Sequence, residues 1–288
     1  MEFRNDLMRF YEICSSYAYS EVNDYRRDQS MVEVTTFYSG PEALAVTKRV
    51  NSRLNISENE NSFTTEEVRI MWVLCGFEKA LLGPGYDSPW CHLLTTEDSQ
   101  VLEYAQDLKA YWKKGYGYTI NYEQSCPLLT DIFTNFQEII SNSSAPAVSL
   151  YFGHTETLLP FYSLLGLFLD EKPLTASNFL QHKEKRKFRS SIISPFAANI
   201  GFTLYECEEG AQASHPDWPQ DLQSHMLQIM VNEQIMPLPF TDKVAVSISD
   251  FEYHYYQYVH YCNFNKLCNN HQPMTTRLMK NCSWENYC

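Results

Sequence analysis

An apolar run that ends at a glycine and passes directly into a helical pattern is the sequence feature that most limits the fold. Residues 147–152 read Ala-Val-Ser-Leu-Tyr-Phe, Gly153 follows, and apolar residues at helical spacing begin after Glu156. A buried strand that leads straight into a helix is the building unit of α/β folds. His154 and Glu156 lie at the junction, where the backbone N–H groups of a helix start favour an anion. We therefore predict an α/β sheet with a candidate site at the carboxyl end of this strand.

The pair formed by His154 and Glu156 has two interpretations. A histidine and a protonated carboxyl group two residues apart are suited to hold a phosphate and to lend it a proton. The same pair at a strand-to-helix turn is more often a helix cap than a catalytic pair. A metal site is less favoured still, since the sequence has no His-Glu-x-x-His, no Cys-x-x-Cys and no clustered histidines near this point. Spacing alone leaves the cap and the catalytic pair open.

Residues 1–140 are predicted to form a mainly helical domain. The basis is a set of helix-start signals, each followed by apolar residues at helical spacing: Gly40-Pro41, Thr64 with Glu67, and Thr95 with Asp98. Gly83 and Gly115 are expected to end two of these helices, and a further helix is predicted over residues 127–140. The short polar segment 141–146 is the best candidate for a domain boundary.

Residues 147–268 are predicted to form the sheet domain, followed by a polar tail over residues 269–288. The expected elements are a buried strand over 147–152, a helix over 156–168, one or two strands within 191–206, a strand over 226–236 and a helix that begins near Ser249 and reaches Cys262. The last helix carries a stripe of tyrosines. We interpret that stripe as core and surface packing rather than as an aromatic cage.

Composition excludes two classes of function. A net charge of −13 argues against a nucleic acid as partner, because such proteins carry a basic surface. The longest apolar run, residues 158–169, is too short for a membrane span and contains Pro160. An apolar content of 44% allows a sizeable core in one or two domains.

Nine cysteines are many for a cytosolic enzyme and predict disulfides. Cys262 and Cys268 are close enough in sequence for a local bridge, and the other pairings are not readable from spacing. Three Asn-x-Ser sequons, at Asn55, Asn142 and Asn281, agree with a glycoprotein of the secretory pathway. The first twenty residues lack the apolar core of a signal peptide, so we expect a front segment to precede them in the complete protein.

Four stretches resemble one enzyme family in the same order along the chain. His154-Thr155-Glu156 is similar to its His-Ala-Glu proton-donor motif; the others cover residues 88–91, 107–121, and 187–190 with 204–207. The family is the histidine phosphatase superfamily, acid phosphatase and phytase branch, and the likeness is greatest to its multiple inositol polyphosphate phosphatase group. Thr155 departs from the usual alanine, and its small hydroxyl is expected to be tolerated.

The resemblance implies a phosphomonoester hydrolase that acts on inositol polyphosphates of the phytate type, with 2,3-bisphosphoglycerate as a further candidate, through a phosphohistidine. The family's nucleophile belongs to an Arg-His-Gly motif, and no Arg-His-Gly occurs in these 288 residues. The chain is therefore expected to correspond to the C-terminal portion, with the helical domain inserted over the sheet. By itself it is expected to be inactive. The alternative is a non-catalytic, truncated product that binds a polyphosphate or a partner.

The resemblance also implies roles for particular side chains. Glu156, protonated, would give its proton to the leaving alkoxide, and His154 would donate a hydrogen bond to a phosphate oxygen. The basic residues Lys113, Lys114 and Arg189 are candidates for secondary phosphate contacts, although such charge runs are usually solvated faces. No metal or other cofactor is expected, because arginines and the imidazole neutralise the phosphate.

Two further expectations come from the resemblance. Cys207 is expected to be unpaired within the chain, since related phosphatases pair its counterpart with a cysteine near the N-terminal motif. The complete protein is expected in the secretory pathway, in the lumen of the endoplasmic reticulum or outside the cell.

Overall fold

The computed structural model of the protein describes residues 4–22, 25–57, 62–141, 146–208 and 224–269. Its described helices, in chain order, are α1 (Asn5–Met8), α2 (Phe10–Ile13), α3 (Ser15–Val22), α4 (Tyr25–Tyr38), α5 (Pro41–Arg53), α6 (Thr65–Leu82), α7 (Thr96–Lys114), α8 (Thr119–Glu123), α9 (Cys126–Ser141), α10 (Thr155–Leu164), α11 (Phe179–His182), α12 (Ser190–Ile193), α13 (Ile248–His254), α14 (Tyr256–His260) and α15 (Phe264–Cys268), with a 3₁₀ turn at Cys91–Leu93. The described strands are β1 (Ile200–Glu206), β2 (His225–Val231), β3 (Gln234–Met236) and β4 (Val246–Ser247).

The three predicted helix starts are confirmed, α5 by Pro41 in its first turn and the other two by reciprocal hydrogen bonds. The Thr64 N–H donates to Glu67 Oε2 at 2.7 Å, and the Glu67 N–H donates to Thr64 Oγ1 at 3.3 Å. Thr95 and Asp98 make the same exchange ahead of α7, at 3.0 and 3.1 Å. Each exchange satisfies N–H groups that have no partner within the helix. Gly83 ends α6 with φ +94°, a left-handed backbone that glycine adopts without a steric penalty.

The sheet is antiparallel and is built around β2. β1 pairs along one edge of β2, from Ile200 opposite Val231 to Glu206 opposite His225, whereas β3 and β4 share the other edge. The prediction of a single strand over 226–236 was wrong at its centre, where Asn232 and Glu233 have φ of 49° and 61°. Two left-handed residues in a row form the tight turn that joins hairpin strands, so the chain reverses between β2 and β3.

The predicted buried strand over 147–152 is not formed. These residues have no regular secondary structure, and Val148, Leu150 and Phe152 are 71%, 76% and 75% exposed. A strand needs a neighbour to satisfy its N–H and C=O groups, and within the described ranges no segment pairs with this one. The helix that follows is close to its predicted place, since α10 covers Thr155–Leu164 and turns continue to residue 168.

Two other predicted elements differ from the structure. Within 191–206 the chain first forms α12 and becomes a strand only from Ile200. The predicted helix over 249–262 is divided into α13 and α14, and its cap is Ser247, whose Oγ accepts from the Asp250 N–H at 2.9 Å. Its tyrosine stripe is mostly exposed, and Phe251, Tyr255 and Val259 provide the buried face instead.

The chain divides into two compact units that interleave along the sequence. Unit 1 contains residues 1–27, 113–169 and 192–288, and unit 2 contains residues 28–112 and 170–191. The chain therefore passes between the units at other points than the predicted boundary segment 141–146. The predicted tail over 269–288 lies outside the described residues except for Asn269.

Unit 1 contains the sheet and, among its helices, α8, α9, α10, α13, α14 and α15. The rings of Phe136, Phe161 and Phe251 surround Phe202 of β1, with centroids 6.1 to 6.5 Å from its own. Two disulfides cross this unit, Cys14–Cys268 and Cys126–Cys262, and the predicted local bridge between Cys262 and Cys268 was wrong. The described part of the chain has one free cysteine, Cys207, as the resemblance implied.

All regular secondary structure in the described residues of unit 2 is helical. Phe37, Tyr104 and Phe179 form an aromatic cluster with centroids 5.1 to 5.6 Å apart. Beside them the buried guanidinium of Arg186 donates to Asp107 at 2.7 Å and to Glu103 at 2.9 Å, so that these buried charges are paired. A third disulfide, Cys75–Cys91, links α6 to the 3₁₀ turn. A sheet unit and a helical unit confirm the predicted fold class.

Candidate active site

The start of α10 is fixed by hydrogen bonds between His154 and Thr157 and by a hydrogen bond from Thr157 to the N-terminal segment. The N–H of Thr157 donates to the His154 carbonyl at 2.9 Å, and the His154 N–H donates to Thr157 Oγ1 at 3.3 Å. The buried Thr157 hydroxyl in turn donates to the carbonyl of Met8 at 2.6 Å. His154 therefore takes the N-cap position, and its backbone is held by a threonine that is tied to the N-terminal segment.

Gly153 is required where the chain enters this helix. A Cβ atom at residue 153 would lie 2.8 Å from Thr157 Oγ1, closer than real Cβ atoms come, and 3.1 Å from Thr157 Cβ, which is a tight contact. The sequence predicts that this glycine ends a strand, but the structure shows no strand there and gives a steric reason for the glycine instead. The glycine leaves room for the side chain that anchors the site.

Glu156 lies in the first turn of α10 and is paired with Lys114. The ammonium Nζ of Lys114 lies 2.7 Å from Glu156 Oε1, and the two side chains are 24% and 39% exposed. Partial burial by itself raises the pKa of the Glu156 carboxyl. The hydrogen bond and the charge of Lys114 outweigh burial, with smaller help from the Glu156 N–H and from His154, so the pKa lies below its ordinary value. The lowered pKa favours the carboxylate form of Glu156 at neutral pH.

His154 is exposed to solvent at the same helix start. Thr155, between the two candidate residues, makes a hydroxyl–hydroxyl hydrogen bond with Ser194. The hydroxyl that replaces the usual alanine is therefore accommodated by a polar neighbour. The imidazole and the carboxylate are both open to an anion arriving from solvent, and the ammonium of Lys114 stands beside the carboxylate.

The other basic candidates have different surroundings. Lys113 precedes Lys114 at the end of α7, and its carbonyl accepts a hydrogen bond from the Tyr17 hydroxyl at 3.0 Å. Arg189 belongs to unit 2, where its Nη2 donates to Glu103 Oε2 at 2.7 Å. Arg189 is thus already held by a carboxylate in its own unit. Its suggested contact with a phosphate stays a prediction.

Sequence reasoning missed the partner of Glu156. Lys114 was predicted as a phosphate contact, but no pattern indicated that it would pair with a residue 42 positions away. Tyr11 of α2 was missed as well. Burial raises the pKa of its phenol, Arg9 lowers it and Glu12 raises it, and the charge of the Glu156 carboxylate makes a smaller contribution that also raises it. For the pair of Lys114 and Glu156 the sequence has only a weak signal, a lysine at the end of one helix and a glutamate at the start of another.

No group of three or more histidine, cysteine, aspartate or glutamate side chains is placed to hold a metal ion in the part of the chain that the structure describes. Within the same residues no helix is both long and apolar enough to cross a membrane. The arrangement at α10 offers hydrogen-bond donors and positive charge to an anion, and a carboxyl group for proton transfer.

Comparison with known proteins gives a family model and several relatives. The model described as histidine phosphatase superfamily (branch 2) matches residues 3–232. Human multiple inositol polyphosphate phosphatase 1 is 35% identical over 268 residues, which cover 91% of this chain and 52% of the relative. The protein of the same name from Gallus gallus is 35% identical over 274 residues, covering 93% and 57%. The chain spans just over half the length of these relatives.

Solved structures share the fold at low sequence identity. The phytase from D. castellii superposes with a TM-score of 0.66 at 17% identity, covering 87% of this chain and 49% of the phytase. The multiple inositol polyphosphate phosphatase of Bifidobacterium longum, solved in complex with inositol hexasulfate, gives 0.62 at 13% identity, covering 86% and 61%. These likenesses extend across both compact units of the chain.

Proposed function

Because this chain belongs to branch 2 of the histidine phosphatase superfamily, we propose that it is part of a phosphomonoester hydrolase acting on inositol polyphosphates. Membership rests on a model that matches residues 3–232. The substrate class is supported by relatives named as multiple inositol polyphosphate phosphatases and by a solved structural neighbour that holds inositol hexasulfate. The observation that carries the proposal is the shared helix start of His154 and Glu156, both open to solvent, with the ammonium of Lys114 beside them.

The proposed reaction has two steps. A histidine nitrogen attacks phosphorus while the bond from phosphorus to the ester oxygen breaks, and protonated Glu156 gives its proton to the leaving alkoxide. Water then attacks the phosphohistidine, the P–N bond breaks, and the Glu156 carboxylate takes a proton from that water. His154 donates a hydrogen bond to a phosphate oxygen in both steps. These 288 residues contain no Arg-His-Gly sequence, so the nucleophile is proposed to come from outside them.

The electrostatics of Glu156 support the second step more directly than the first. A carboxylate beside an ammonium is ready to accept a proton from water. To act as an acid it must first be protonated, and its lowered pKa opposes this in the absence of substrate. The proposal therefore requires that a bound phosphate change the surroundings of Glu156.

The test is phosphate release from inositol hexakisphosphate. The 288 residues alone are expected to give no release above that of a Glu156→Gln control. With an Arg-His-Gly segment supplied at the front, turnover is expected, and Glu156→Gln should lower kcat by roughly 10²–10⁴-fold. Release by the 288 residues that Glu156→Gln abolishes would refute the proposed source of the nucleophile. Unchanged turnover of the Glu156→Gln variant in the longer protein would refute the role of the carboxyl group.

A second candidate function is polyphosphate binding without turnover. It is favoured by one observation: the site at α10 offers the ammonium of Lys114 to an anion, while these 288 residues contain no Arg-His-Gly sequence. Under this alternative, inositol hexakisphosphate binds unchanged, and substitution of Lys113, Lys114 and Arg189 together abolishes binding. Turnover in the longer protein would decide against it.

We also propose that the complete protein acts in an oxidising compartment, the endoplasmic reticulum lumen or the cell exterior. Three disulfides among the described cysteines support this, because such bonds persist where thiols are not kept reduced. The helical unit is proposed to be the inserted domain that selects substrates.

A further inference from the structure

We propose that Lys114 gates the protonation of Glu156: the ammonium pairs with the carboxylate in the free protein and moves to a phosphate group when a polyphosphate binds. The carboxyl group then takes up a proton from solvent and becomes the acid of the first step. This inference rests on the proposed function and deepens it. It makes Lys114 a positioning residue that acts on the reaction through Glu156, in addition to any contact that it makes with the substrate.

The geometry of the pair is the first support. A separation of 2.7 Å between Lys114 Nζ and Glu156 Oε1 is that of a charge-assisted hydrogen bond. Both side chains keep contact with water, at 24% and 39% exposure, so an anion from solvent can reach the ammonium. Ion pairs of this exposure contribute little to stability, and exchanging the partner of the lysine therefore costs little.

The placement of the two residues on their helices is the second support. Lys114 is the last residue of α7, and Glu156 is in the first turn of α10. Each charge has the sign that its helix end favours, so the pair is stable while no other anion is present. A phosphomonoester carries about −1.5 to −2 charges at neutral pH and competes well against a single carboxylate for the ammonium.

His154 acts on Glu156 in the same sense as Lys114. At the N-cap of α10 its charge contributes to lowering the pKa of Glu156, and its side chain is exposed to an arriving phosphate. On α2 burial raises the pKa of the Tyr11 phenol, with a smaller contribution from the Glu156 carboxylate, and Arg9 beside α2 pairs with Glu12 at 3.4 Å. Once Lys114 has moved to the anion, the burial of Glu156 and the negative charge of the phosphate both favour the neutral carboxyl group.

The experiment follows the ionisation of Glu156 by NMR in the 288-residue chain with ¹³C-labelled glutamate. The Glu156 signal is identified by its loss in Glu156→Gln. Titrations are run with and without inositol hexasulfate, whose sulfate groups stay charged throughout and are not hydrolysed. The variants are Lys114→Met, the charge-conserving Lys114→Arg, and Lys266→Met as a matched control on the exposed surface of the same unit. Circular dichroism checks that each variant is folded.

The expected result has three parts. Inositol hexasulfate raises the pKa of Glu156 in the unsubstituted chain, and binding takes up protons near the ordinary pKa of glutamate. Lys114→Met raises the pKa of Glu156 without any ligand, removes most of the ligand-induced shift and weakens binding about tenfold. Lys114→Arg restores the low pKa and the binding, and Lys266→Met behaves like the unsubstituted chain.

The other outcomes separate this proposal from the proposed function. Tight binding of inositol hexasulfate with an unchanged or lowered pKa of Glu156 would overturn the gate and leave the substrate class in place. An unchanged pKa of Glu156 in ligand-free Lys114→Met would also overturn it, because the pair would then not control the carboxyl group. Failure of the folded chain to bind inositol hexasulfate would overturn the gate, whereas the proposed function would be overturned only by lack of turnover in the longer protein.

Discussion

Replacing Gly153 with alanine should loosen the start of α10, and the structure allows the cost to be worked out. The new Cβ would lie 2.8 Å from Thr157 Oγ1, so the threonine must turn away. It then loses the hydrogen bond that it accepts from the His154 N–H at 3.3 Å and the one that it donates to Met8 O at 2.6 Å. Loss of a helix cap and of one buried hydrogen bond costs about 2 kcal/mol together.

The assay is urea unfolding followed by circular dichroism, with a double-mutant cycle. Thr157→Ala removes the same hydrogen bonds and also the Oγ1 atom that the new Cβ would meet at 2.8 Å, leaving only the Cβ contact at 3.1 Å, so it should cost about as much as Gly153→Ala. The double variant should then be little worse than either single one, with a coupling of about 1–2 kcal/mol. Gly76→Ala is the control, since nothing lies within 4 Å of its Cβ in the middle of α6 and alanine should stabilise that helix by about 0.5–1 kcal/mol. Additive effects of Gly153→Ala and Thr157→Ala would refute the steric explanation.

Two further predictions concern stability. Cys14 and Cys268 close a loop of about 100 residues when the other two disulfides are intact. Replacing both with serine should lower the free energy of unfolding by up to about 4.7 kcal/mol, measured by urea unfolding under non-reducing conditions. A loss below about 1 kcal/mol would contradict this prediction. The side chain of Asp98 is fully buried, and burial raises its pKa, but hydrogen bonds from Thr95, Arg49 and Arg53 outweigh burial and lower it. Because its folded-state pKa lies below the unfolded value, Asp98 stabilises the protein above that unfolded value, and the contribution is lost as the pH falls. Asp98→Asn should therefore flatten the acid side of the stability curve, and an unchanged slope would contradict this.

The sequence by itself determined the features whose partners are near in the chain. The capping boxes at Thr64 and Thr95 were readable because each side chain bonds a backbone group three residues away. The position of His154 and Glu156 at a helix start was readable because apolar residues at helical spacing follow them in the sequence. The order of several motifs was enough for the family, because it does not depend on how distant segments pack.

The structure decided what depends on distant partners. Residues 147–152 have the composition of a buried strand, yet hydrophobicity does not supply the neighbouring strand that pairing requires, and Leu150 is 76% exposed. Cys14 bonds to a cysteine 254 residues away, and Lys114 to a carboxylate 42 away. Such pairings follow from the sum of many weak packing contacts set against loop-closure entropy, and no single local pattern records that sum. The candidate role of Glu156 was thus predicted from the sequence, whereas its ion pair with Lys114 was decided by the fold, which brings the end of α7 to the start of α10.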